Sequence, residues 1–144
     1  MPTHQHTTFN RLVRIQIMLW NACNIRIREQ TGLPLARIEV LRTVQAIDHC
    51  RVNDIAEHLL ITVGAASKLV DRLQASGHIL RRPNPADSRS SIVTLTQNGQ
   101  CVIQQANSAI KPLLQAYFNN IDLPCLNDNL DLIEQNIISL SEHK

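Results

Sequence analysis

The sequence predicts a mainly α-helical chain interrupted once by a small β-hairpin. Three observations lead there. Apolar residues recur at helical spacing through most of the chain, and the spacing changes to a strand-like pattern only between Gly77 and Thr96. Residues that start and stop helices stand at the joints: Thr31-Gly32, Thr62, Gly77 and Thr96. Composition is that of a folded domain, with 44% hydrophobic and 18% charged residues in 144.

Residues from about 8 to 30 form the first predicted helix. Phe9, Leu12, Val13, Ile17, Trp20, Ala22, Ile25 and Ile27 cover more than one of its faces, as in helices buried by several neighbours. His4 and His6 precede it, in a segment expected to be disordered. After Thr31-Gly32 and Pro34, Leu35–Asp48 reads as a second helix carrying Ile38, Val40, Leu41, Val44 and Ile47.

Asn53 and Asp54, as cap and first-turn acid, open a short helix through Ile55-Ala56-Glu57-His58-Leu59. Leu60-Ile61 makes a tight turn. Thr62 caps a longer helix from Val63 to about Ser76, with Ala66, Leu69, Val70 and Leu73 inward, and Gly77 stops it. Two short helices joined by such a turn are a helix-turn-helix. Ile79–Arg82 and Ser90–Leu95 follow as short strands around the polar turn Pro83-Asn84-Pro85-Ala86-Asp87-Ser88-Arg89, which makes a wing. Thr96 caps a helix from Gln97 to about Asn119, which Pro112 should kink or restart. A last helix starting near Pro124 carries Leu126, Leu130, Ile133, Ile137 and Leu140 in one stripe suited to packing on another helix. The fold class is therefore mainly α with a small β-hairpin wing: a winged helix-turn-helix between flanking helices.

Formal net charge is only +2, but it is segregated. Residues 68–89 carry Lys68, Arg72, Arg81, Arg82 and Arg89 against Asp71 and Asp87. Residues 119–144 carry Asp122, Asp128, Asp131, Glu134 and Glu142 against Lys144. Aromatics at 3% are too few for a platform on which single strands stack. The four cysteines are far apart and form no C-x-x-C pair, and the histidines do not join them at ligand spacing, so neither a metal site nor a cofactor is expected. Ile15–Trp20 is too short for a signal peptide, and no run approaches the roughly 18 apolar residues of a membrane span. A reducing cytoplasm, with association to the nucleoid, is the expected location.

Ile55-Ala56-Glu57-His58-Leu59, Ser67-Lys68-Leu69-Val70-Asp71-Arg72-Leu73 and Arg81-Arg82-Pro83…Asp87-Ser88-Arg89-Ser90…Leu95-Thr96…Gly99 together resemble the MarR family of bacterial transcription regulators. The resemblance implies a homodimer whose first helix and last two helices interlock between chains. It implies two winged modules reading a pseudo-palindromic operator in double-stranded DNA, and a repressor released by a small aromatic or acidic effector. On that pattern residues 1–34 and 100–144 serve dimerisation and residues 35–99 form the DNA-binding region. Two positions depart from the family: Leu60 stands where a turn glycine is usual, and Lys68 where an arginine is usual.

The candidate DNA-binding residues are Thr62, Gly64, Ala65, Ser67, Lys68 and Arg72 on the recognition helix, and Arg81, Arg82, Asp87 and Arg89 on the wing. Thr62, Ser67 and Lys68 suit phosphate and base edges; Gly64 and Ala65 allow close approach and contact with a thymine methyl. In a plainer alternative this helix face is merely solvated and Arg72 pairs with Asp71. Arg81 and Arg82 suit phosphates, although one of them could be structural. The resemblance assigns Arg89 to the minor groove, with Asp87 orienting it or pairing with Arg81. Arg14, Arg26 and Arg42 are candidates for an effector cleft. Cys23 and Cys101 are candidates for an alternative, cysteine-based redox control, set against the view that a free cysteine is usually a small buried hydrophobe. A winged helix used only for protein interaction is a further alternative. No enzyme is expected: four glycines supply no phosphate-cradling loop, and there is no ordered triad.

Overall fold

A computed structural model describes residues 1–142. It contains α1 (His4–Thr31), α2 (Leu35–Ala46), α3 (Val52–Leu59), α4 (Val63–Ala75), β1 (Ile79–Pro83), β2 (Ser91–Leu95), α5 (Gln97–Tyr117) and α6 (Leu123–Ser141). The predicted class, mainly α with one β-hairpin, is the observed one. The chain divides into two compact units, Met1–Ile110 and the segment from Lys111 onward, with the division inside α5. Among the described residues no helix is long and apolar enough to cross a membrane.

The first unit is organised by α2, which packs against α1, α3, α4 and β2. Ile38, Val40 and Leu41 of α2 are fully buried together with Ile27, Ile55, Val70, Leu73, Ile79 and Val93. Each such side chain contributes about 1.5–3 kcal/mol of burial. Thr43 is buried with them, and its hydroxyl donates to the Glu39 carbonyl at 2.8 Å. Pro34, at the N-cap of α2, makes no side-chain cap bond; the Asn24 side chain of α1 accepts from the Leu35 N–H instead, at 2.9 Å.

Several boundaries differ from expectation for local reasons. His4 and His6 are helical, because Thr3 caps α1 and its hydroxyl accepts from the His6 N–H. The N-cap of α3 is Arg51, and Asp54 reaches back to accept from the Arg51 N–H at 2.9 Å. Helix α2 stops at Ala46 because Ile47 is extended and His49 adopts φ 53°. Helix α5 runs through Pro112 without a restart, since a proline removes one i→i−4 bond while the flanking ones remain.

Burial within one chain is uneven. Of α1, only Cys23 and Ile27 are buried, while Phe9, Ile15, Ile17, Met18 and Ile25 are exposed. Much of the apolar pattern of α1 is therefore left uncovered. In the second unit α6 is capped by Asp122, which accepts from the Cys125 N–H at 3.1 Å, and it has no buried residue. Of its predicted stripe, Leu126 is half-buried and Leu130, Ile133, Ile137 and Leu140 are exposed.

The hairpin is antiparallel, in register from Ile79↔Leu95 to Pro83↔Ser91. Its outer edge is tied down where the Val93 N–H donates to the Cys50 carbonyl at 2.7 Å. Its base is a close junction. The Thr96 N–H donates to the His78 carbonyl (3.1 Å), the Thr96 hydroxyl to the Gly77 carbonyl (2.7 Å), and the Gly99 N–H to Thr96 Oγ1 (3.1 Å). Gly99 is buried there, and a Cβ on it would collide with the His78 carbonyl. Gly99→Ala should therefore destabilise the chain by about 1–3 kcal/mol, read from urea midpoints at unchanged slope.

His78 titrates below the usual histidine range, first because burial disfavours the imidazolium and second because Arg37 is near. The folded chain thus binds fewer protons than the unfolded chain just below the ordinary value of 6.5, and stability falls as pH drops through that range. Urea melts between pH 7.5 and 5.5 should show this loss, and His78→Gln should reduce it.

Candidate nucleic-acid interface

Helix α4 starts where Leu60 reverses the chain. Leu60 is left-handed, at φ 55° and ψ 42°, and 91% exposed, so no packing compensates its backbone strain. Thr62 then caps α4, its hydroxyl accepting from the Ala65 N–H at 3.1 Å. Ala66, Val70 and Leu73 hold the helix to the core, and Leu69 is half-buried. Val63, Gly64, Ala65, Lys68 and Arg72 are exposed, and Ser67 is half-buried at the edge of the same face.

The charges on this face are not paired as the sequence suggested. Asp71 binds Arg81 of β1 at 2.7 Å, and Arg81 also donates to Gln74 Oε1 at 2.8 Å. Arg72 does not pair with Asp71, and Arg81 does not pair with Asp87. Arg72 follows Asp71 directly and so points about 100° away from it around the helix, whereas β1 runs alongside α4 and brings Arg81 to it. Arg81 is therefore a strut between helix and wing, as the structural option for one of the wing arginines anticipated. Among the described residues Lys68, Arg72, Arg82 and Arg89 form no ion pair; the salt bridges there are Arg42–Glu39, Arg51–Asp54 and Arg81–Asp71.

The wing tip is held by its own side chains. Asn84 Oδ1 accepts from the Ala86 N–H at 3.0 Å, and Asn84 Nδ2 donates to Ser90 Oγ at 3.0 Å. Asp87 Oδ1 accepts from the Arg89 N–H at 2.9 Å. These Asx turns pre-set the loop and leave the Arg89 guanidinium exposed at its end. Asp87 thus orients Arg89 through the backbone.

Arg51, which sequence reasoning missed, belongs to the same neighbourhood. Its guanidinium donates to both Asp54 oxygens at 3.1 Å, which chiefly raises its pKa and lowers that of Asp54; Asp87 of the wing adds a smaller pull on Arg51. The i,i+3 spacing of Arg51 and Asp54 was the available signal.

The other candidates are placed less favourably. Arg14 and Arg26 lie on one straight helix about 18 Å apart along its axis, so one small molecule cannot meet both within a protomer. Arg14 borders a shallow groove with Asn10, Val13, Ile17 and Met18, all on α1. Arg42 is engaged by Glu39 (3.1 Å) and Asn107 (2.7 Å). Cys23 is buried, and burial pushes its thiol up; Cys50 is pushed to about 11 for the same reason. Cys23 thus lacks the exposed, acidified thiol that redox sensing needs. Cys101 is exposed on α5. Among the described residues no group of three His, Cys, Asp or Glu could hold a metal ion.

A family model described as the MarR family matches residues 31–90, which span α2 to the wing tip. That stretch of the chain is similar to the MarR family. A curated relative, the multiple antibiotic resistance protein MarR of Salmonella typhimurium, is 35% identical over 71 residues, 49% of each chain. The chain spans about half the length of the curated relatives it matches. Solved structures share the fold over more of the chain. The regulator BldR from Sulfolobus solfataricus superposes with a TM-score of 0.85 at 21% identity, covering 94% of this chain and 99% of that one. Sco3205 from Streptomyces coelicolor, a MarR-family regulator solved in complex with DNA, gives 0.81 at 20% identity, covering 96% and 89%. CouR from Rhodococcus jostii, bound to p-coumaroyl-CoA, gives 0.76 at 22% identity, covering 85% and 86%.

The left-handed Leu60 is strained in its turn. Leu60→Gly removes a strain of about 1–2 kcal/mol and adds roughly 0.5–1 kcal/mol of unfolded-state entropy. Urea melts should show a net gain of about 0.5–1 kcal/mol. A loss would mean that the exposed leucine side chain contributes to folding.

Proposed function

We propose that this chain is a duplex-DNA-binding transcription regulator of the MarR type, acting as a homodimer on a pseudo-palindromic operator. The observation that carries this is the set of four cations, Lys68, Arg72, Arg82 and Arg89, exposed on the recognition helix and the wing and without an ion pair among the described residues. On this reading α4 enters the major groove, with Thr62, Gly64, Ala65 and Ser67 at the bases and Lys68 and Arg72 at phosphates. Arg82 meets the backbone, and Arg89, presented by the Asp87 turn, enters the minor groove, where a narrow groove concentrates negative potential. The winged relative solved with DNA supports the same use of the fold.

The exposed apolar residues of α1 and α6 are the proposed dimer contacts, in line with dimerisation segments at 1–34 and 100–144 around a DNA-binding region at 35–99. Contiguous apolar surface on this scale marks an interface. The output is repression relieved by a small acidic or aromatic ligand. The acyl-CoA bound by CouR supports a ligand-controlled family member, and Arg14 or Arg26, rather than the engaged Arg42, is the free cation for an acidic group.

Fluorescence anisotropy with the DNA upstream of its own gene and with random duplex, each in a salt series, tests the reading. Binding should fall steeply with salt, and the two heads should protect sites about 10 base pairs apart. Arg89→Ala should weaken operator binding tenfold or more with the dimer intact, and Arg82→Ala should reduce the salt slope by about 1. Weak, salt-insensitive binding to both duplexes would replace this reading with a protein-interaction module.

A further inference from the structure

The first turn of α4 carries almost no hydrogen-bonding side chain toward solvent. The Thr62 hydroxyl accepts from the Ala65 N–H and keeps only its own O–H to donate. Gly64 has no side chain and open space around it. Val63 is 52% exposed, Ala65 is exposed, and Leu60, one turn earlier, is 91% exposed. Next come the half-buried Ser67 hydroxyl at the edge of the face and the exposed Lys68, a point charge better suited to phosphate than to bidentate base reading. Exposed apolar side chains beside basic ones suit an occupant that is itself apolar and framed by negative charge. In duplex DNA the thymine C5-methyl is that group: it projects into the major groove between the two phosphate backbones.

We infer, resting on the DNA-binding reading above, that Val63 and Ala65, flanked by Leu60, read thymine through its methyl group. The helix start then recognises sequence by apolar contact. Gly64 lets the helix backbone approach the base edges closely enough for methyl-to-methyl contact, and Lys68, Arg72, Arg82 and Arg89 hold the register on the phosphates. The operator should therefore carry thymine in each half-site opposite the start of α4.

The test starts with selection of sites from a random 30-base-pair duplex library by the full-length protein. Each selected thymine is then replaced by deoxyuridine, which removes the methyl and leaves pairing unchanged. Burying one methyl against Val63 or Ala65 corresponds to about a fourfold change in affinity. Deoxyuridine at the reading position should weaken binding about fourfold in one half-site and about sixteenfold in both. At a selected site changed to C·G there, 5-methylcytosine should bind about fourfold tighter than cytosine. Val63→Ser, at an exposed position that folding does not need, should reduce the deoxyuridine penalty below twofold and leave the salt slope unchanged. Equal binding of thymine and deoxyuridine duplexes, or an unchanged penalty in Val63→Ser, would overturn the inference while leaving DNA binding intact. A library that gives no salt-dependent binding at all would overturn the DNA-binding reading beneath it.

Discussion

At the base of the wing four chain segments meet within hydrogen-bonding distance. The end of α4 passes through Gly77 into His78, whose N–H donates to the Leu73 carbonyl, while Thr96 bonds both Gly77 and His78 and caps α5 through Gly99. The approach is so close that residue 99 has no room for a side chain. This junction sets the angle between the helix that carries Lys68 and Arg72 and the hairpin that carries Arg82 and Arg89. Two further ties keep that angle: Arg81 to Asp71 across the helix, and Val93 to Cys50 at the outer strand. The exposed ion pair adds at most about 1 kcal/mol, so the backbone junction does most of the holding.

Division of labour among the arginines follows from this frame. Arg81 and Arg82 are neighbours on one strand, and their side chains leave opposite faces of it. Arg81 turns toward α4 and is consumed by Asp71 and Gln74; Arg82 turns away and stays free. At the tip, Asn84 and Asp87 spend their polar atoms on loop backbone and on Ser90, so that Arg89 is displayed by a preformed turn. On the proposed reading, this loop is ordered before DNA arrives, which lowers the entropy cost of binding.

The apolar surface tells a second, separate story. Helix α2 packs against α1, α3, α4 and β2 and buries Ile38, Val40 and Leu41 completely. Helix α1 is apolar on several faces yet buries only Cys23 and Ile27, and α6 buries nothing. A lone chain leaves this surface in water, so the proposed dimer answers a physical requirement as well as a family pattern. The burial of Cys23, with its thiol pushed up, fits the same picture of α1 as packing material.

The order and type of every element could be read from the sequence, because periodicity, Thr62, Gly77 and Thr96 encode local geometry directly. The polar tip and the basic character of residues 68–89 were equally legible, since both are properties of a short stretch. Tertiary structure alone decided which charges are free. The sequence left open an Arg72–Asp71 pair and an Asp87 that either orients Arg89 or pairs with Arg81; the fold brings β1 alongside α4 and gives Asp71 to Arg81. It likewise drew Arg42 to Asn107, 65 positions further along the chain. Helix and strand type depend on residues a few positions apart. Pairing depends on distances between segments far apart in the chain, and only the packed fold sets those.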